Sequence, residues 1–70
     1  MTVETKWKCN LITETDGHYC YNFGVVYGDE KNKAYWEFTP SGTLTVTIGK
    51  AKGKLFEVGK DYTVSLTESN

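Results

Sequence analysis

The chain reads as all-β: a small five-stranded antiparallel barrel or curled sheet of the SH3-like kind, with an OB-like barrel as the alternative. Three observations lead there. Residues 34–48 alternate apolar and polar positions in two runs separated by a tight-turn signal. Further alternating or β-rich runs flank them on both sides. Phe, Trp and Tyr make up 14% of the chain, a composition that suits a half-buried pleated surface.

In the first run Ala34, Trp36 and Phe38 share one parity, and Tyr35, Glu37 and Thr39 the other. In the second, Leu44, Val46 and Ile48 oppose Thr43, Thr45 and Thr47. Successive side chains point to opposite sides of a strand, so each run has one apolar face. Pro40-Ser41-Gly42 joins them. A three-residue hairpin loop ends in a left-handed residue, which Gly adopts without a Cβ clash. The resulting register sets Phe38 against Leu44, Trp36 against Val46 and Ala34 against Ile48, with Tyr35 meeting Thr47 on the outer face.

A length of 70 residues allows one domain, 1–70, which buries only roughly 60% of its unfolded surface. Trp7, Cys9 and Leu11 alternate with Lys6, Lys8 and Asn10, predicting a first strand over 5–13. Thr15-Asp16-Gly17 is a turn signal, and 19–27 is aromatic and β-branched. The hairpin then pairs Thr13 with Tyr19, Leu11 with Tyr21, Cys9 with Phe23 and Trp7 with Val25. It points Cys9 inward and places Cys20 beside Ile12 on the other face. A disulfide needs Cα atoms within about 7 Å and converging Cβ vectors, so free thiols are expected.

Residues 28–33 form a polar connector without an apolar side chain. From Gly49 to Gly59 the alternation stops; Leu55, Phe56 and Val58 read as a plug on a short 3₁₀ turn that closes one end of the sheet. Tyr62, Val64 and Leu66 mark the last strand. The segment after Ile48 has no helical period, which favours the SH3-like reading over an OB-fold.

A net charge of −1 gives no global attraction to nucleic acid or anionic lipid. No stretch approaches the roughly 20 apolar residues of a membrane helix, and Met1-Thr2-Val3-Glu4 does not read as a signal peptide. A cytoplasmic protein is expected. His18 stands beside a turn with no cysteine as partner, so a non-enzymatic protein is expected. Cys9 and Cys20 lack the short spacing of zinc ligands, and neither a metal nor a cofactor is expected.

Binding has better candidates. Lys50, Lys52, Lys54 and Lys60 crowd one Gly-punctuated segment. Basic loops beside exposed rings hold single-stranded nucleic acid, with charge tracking phosphate and aromatics stacking bases; Tyr35 is the candidate ring. The same loop could seat a nucleotide phosphate on its backbone N–H groups. Against both, the chain has no Arg, and acids balance the lysines. The bland alternative is a solvated loop. Separately, Ile12, Cys20 and Val26 are left on the outer face as a small apolar patch, the kind of surface that marks a protein partner or a homo-oligomer interface.

Four segments carry a resemblance: Val26-Tyr27-Gly28, Asn32-Lys33, Thr39-Pro40-Ser41-Gly42, and the run from Phe56 through Gly59-Lys60-Asp61-Tyr62 to Val64. Across roughly 26–67 they are similar to small proteins encoded by tailed bacteriophages. The resemblance implies an intracellular site in an infected bacterial host, no enzymatic activity, and host-takeover or anti-defence action by binding a host protein. Sequestering a nucleic acid or nucleotide is the alternative, and a structural virion oligomer a third.

Overall fold

The computed structural model describes residues 2–35 and 41–69. Four strands, β1 (Thr2–Glu14), β2 (His18–Val25), β3 (Thr43–Gly49) and β4 (Asp61–Thr67), form one antiparallel sheet in the order β3-β2-β1-β4. The sheet is curled into a half-barrel. Extents of 40 × 32 × 15 Å show how thin it is: one sheet with a partial covering on its concave face.

The all-β class holds, but the described residues contain four strands, not five. Ala34 and Tyr35, expected to open a strand, instead form the turn after a one-turn helix α1 (Glu30–Lys33), where the Tyr35 N–H donates to the Asn32 carbonyl. Ile48, expected opposite Ala34, pairs with Tyr19. Trp36, Glu37, Phe38, Thr39 and Pro40 lie outside the described residues, and with them the expected pairs Phe38–Leu44 and Trp36–Val46.

The β1–β2 hairpin is correct at its open end and shifted at its turn end. Trp7 pairs with Val25 and Cys9 with Phe23, as the alternation requires. Asn10 is then an extra residue, and Ile12 rather than Leu11 falls opposite Tyr21. A β-bulge changes which parity faces the core. Ile12 therefore packs on the core, and Leu11 turns outward, 55% exposed. The bulge is accommodated by Gly24: a Cβ there would meet the Asn10 side-chain nitrogen at 2.6 Å.

The concave face holds the core. Cys9, Tyr21 and Phe23 are buried, with Trp7, Ile12, Tyr19, Leu44, Val46, Ile48, Phe56 and Tyr62 packed around them. β3 and β4 lie on opposite edges, so the chain between them must cross this face. It leaves β3 through a 3₁₀ turn (Lys50–Lys52) and crosses as a strap, placing Phe56 edge-on to Tyr21 (4.9 Å), Phe23 (5.3 Å) and Tyr62 (5.1 Å). The phenol oxygens on either side accept from the strap: Leu55 N–H to Tyr21 Oη at 3.1 Å, and Glu57 N–H to Tyr62 Oη at 2.9 Å. The expected plug is thus Phe56 alone. Leu55 and Val58 are exposed, and only Phe56 turns to the sheet; the 3₁₀ turn falls earlier, on the lysines.

At the other end, α1 replaces the expected loop. Asp29 caps it, accepting from the Lys31 N–H at 2.9 Å. Asn32, 1% exposed, accepts from the Lys6 N–H and donates to the carbonyls of Lys6 and Val26, at 2.7, 2.8 and 2.8 Å. Its amide continues the β2 side of the ladder where β2 has ended.

Candidate binding surface

The bulge shapes a groove of about 420 Å³ on the convex face, lined by Lys8, Asn10, Gly24, Val25, Val26 and Tyr27. Its geometry follows from β2 ending at Val25, beyond which the chain turns away. Tyr27 is 71% exposed, because strand alternation no longer governs a residue beyond the strand end. Lys8 supplies a cation at the rim, loosely paired with Asp61 at 3.8 Å. The groove offers the apolar Val26, an amide, a phenol and an ammonium.

Of the expected interface set, only Val26 lines this groove. Cys20 is on the convex face but pairs with Thr13 and Thr47, six residues or about 20 Å along the chain from Val26. Ile12 is on the opposite face, turned there by the bulge. The three do not make one patch. Around Cys20 the convex face is polar, with Thr45 donating to Asn22 Oδ1 at 3.0 Å. Cys9 and Cys20 are free thiols, as the opposed faces require.

The basic segment is placed differently from its expected aromatic. Lys50 reaches Glu14 at 2.8 Å and lies 5.6 Å from the Tyr19 ring centroid; Lys54 lies 5.7 Å from the same ring. Lys60 faces Glu57 at 3.9 Å, and Lys52 is exposed on the 3₁₀ turn. The hydrogen bond from Lys50, and then its charge, hold the Glu14 carboxyl below its ordinary value. Tyr35 is at the far end: it lines a shallow depression with Thr2, Glu4, Lys31 and Ala34. Glu4 and Glu14 are separated by about 30 Å of β1. Tyr35 therefore cannot stack a base held by Lys50, Lys52 and Lys54. Tyr19 is the ring those lysines meet, and it is half-buried.

Among the described residues no cluster of three or more His, Cys, Asp or Glu could hold a metal ion. His18 is exposed beside the turn, opposite Gly49. No helix among the described residues is long and apolar enough to cross a membrane.

Lys8 and Asn10 were not singled out by sequence reasoning. A signal was present: Gly24 inside an aromatic strand marks a bulge or a close approach, and the Leu11-Ile12 doublet leaves the parity of β1 ambiguous. No protein-family model, curated protein or solved structure matches the chain.

Proposed function

We propose a non-enzymatic binding protein that engages a protein partner at the groove beside the bulge. The observation that carries this is Tyr27, an aromatic exposed at the rim of a concavity that Val26 also lines and Lys8 flanks. Aromatic anchors in apolar surroundings with a polar rim are the pattern of interface centres. The partner surface that fits presents an apolar side chain beside an acid. The resemblance to tailed-bacteriophage proteins supports a host protein as that partner, in the cytoplasm of an infected bacterium, with a host-takeover or anti-defence role. A curled sheet strapped across one face is compatible with an SH3-like half-barrel as the scaffold.

The second reading keeps Lys50, Lys52 and Lys54 as a site for single-stranded nucleic acid or a nucleotide. Ion pairing of Lys50 with Glu14 and the distant position of Tyr35 weigh against it. A third, a structural virion oligomer, shares the protein-partner chemistry.

The test is capture from host lysate with the parent, Val26→Asp and Tyr27→Ala, at low and high salt. A protein retained by the parent at both, and lost from both variants, is the expected result. A ligand lost steeply with salt, by counterion release, and lost from the Lys50, Lys52 and Lys54 triple alanine variant but not from Val26→Asp, would replace this reading with nucleic-acid binding.

A further inference from the structure

Among the described residues β4 is an outermost strand of the sheet. Lys6 uses both its backbone N–H and its carbonyl on the β2 side, with Asn32 and Val26. Antiparallel bonding alternates along a strand, so Thr5 and Trp7 turn toward β4, and their partners Val64 and Tyr62 take those bonds. The backbone groups of Thr63 and Ser65 then point away from β1, and among the described residues no strand pairs with that side. The strand Asp61–Thr67 has no Pro and no Lys, the devices that usually blunt an edge. Leu66, on the core face, is 65% exposed.

We infer that β4 pairs antiparallel with β4 of a second copy, about a twofold axis at Val64, joining two sheets into one of eight strands. The sequence of the strand is self-complementary in that register. Val64 meets Val64, and Thr63 meets Ser65 as a hydrogen-bonded pair. Tyr62 meets Leu66 on the core face at each end, covering the exposed leucine, because directly opposed residues share a face. Just outside the strand, Lys60 falls opposite Glu68, so an opposite-charge pair closes each end. Glu68 makes no ion pair among the described residues, and Lys60 has only its 3.9 Å contact with exposed Glu57. The other outermost strand lacks this property: a twofold at Val46 of β3 sets Gly42 against Lys50, with no complementary charge.

The experiment is the solution mass of the full chain by sedimentation across a concentration series, for the parent and four variants. The parent is expected to approach twice 7.9 kDa as concentration rises. Ser65→Pro removes an N–H that points outward and leaves the β1–β4 ladder bonds in place, so it should give a folded monomer. Lys60→Glu or Glu68→Lys sets like charges opposite at both ends and should weaken association about tenfold. The double exchange should restore it. A parent that stays monomeric overturns the inference, as does a dimer that is indifferent to both charge reversals. Should Ser65→Pro fail to fold, the charge exchange decides alone. Because this edge does not overlap Val26 or Tyr27, loss of the dimer leaves partner capture at the groove unaffected, and the two readings fail separately.

Discussion

The strap over 53–60 and the connector over 28–33 both dock onto the sheet, and opposite chemistry holds them. The strap is held by one ring: Phe56 contacts three aromatics edge-on, and the phenols of Tyr21 and Tyr62 accept from its backbone neighbours. The connector is held by one amide: Asn32 makes three hydrogen bonds to the backbone of Lys6 and Val26 in a site closed to water. Apolar packing is non-directional and tolerates substitution by similar volume. A buried amide tolerates almost none, since each group it abandons loses its partner in a place water does not reach. The two anchors should therefore differ less in strength than in what can replace them.

The largest effect is expected at the strap. Phe56→Ala empties the centre of the aromatic cluster and should lower stability by about 3 kcal/mol, read as a shift in the denaturation midpoint. Phe56→Leu restores much of the volume and should recover more than half of that. If the leucine variant is as damaged as the alanine one, edge-on ring geometry rather than burial holds the strap.

Asn32 comes next. Asn32→Leu deprives the Lys6 N–H and the Val26 carbonyl of their partner and should lower stability by about 2 kcal/mol. Asn32→Asp is the sharper test, because a carboxylate accepts from Lys6 but donates to neither carbonyl. It should cost at least as much as the leucine. An aspartate variant close to the parent would mean that the acceptor alone matters.

The same contrast explains what was legible in the sequence. Alternation in Trp7 and Cys9, in Leu44 to Ile48 and in Tyr62 to Leu66 gave three strands their faces, because burial of one face leaves a period in composition. Phe56 was legible as part of a plug for the same reason. Asn32 was not: a polar residue in a polar run carries no mark of burial, and the Asp29 cap that starts α1 reads equally as a turn. The bulge at Asn10 was illegible from periodicity since Leu11 and Ile12 are both apolar and either frame satisfies the count. That one residue took Ile12 out of the expected patch, and Cys20 and Val26 lie six residues apart along the chain. The separation of Tyr35 from the lysines follows from strand order, and no local pattern encodes which strands end up side by side.

Hydroxyl deletions give a smaller effect that compares the strap's two ends. Tyr21→Phe leaves the Leu55 N–H without its phenol, and Tyr62→Phe does the same to Glu57. Each should cost about 1 kcal/mol, with Tyr21 the larger because it is buried while the Tyr62 bond is exposed. Amide exchange at residues 55 and 57 should rise correspondingly. Equal acceleration at both amides in either single variant would show the strap opening as one unit.

The smallest effect is electrostatic and separates the two ends of β1. A hydrogen bond from Lys6 holds the Asp29 carboxyl below its ordinary 3.8, and hydrogen bonds from Ser65 and Lys31 hold Glu4 below 4.5, both beside α1. Glu14 is held below 4.5 by Lys50 at the strap end. A carboxyl depressed in the folded state contributes stability above its unfolded value and loses it as pH falls through the folded value. The melting temperature should therefore be level above the ordinary carboxylate range and fall as pH drops below about 4.5. Asp29 is the least exposed of these acids, with a 3.1 Å contact to Lys6, and its second interaction caps α1, so its ionisation is coupled to the helix that carries Asn32. Asp29→Asn, which keeps the capping oxygen but loses the charge, should flatten the acid limb more than Glu14→Gln, whose pair is more exposed to solvent. The reverse ranking would place the acid-sensitive contact at the strap and make the amide-held end the more robust of the two.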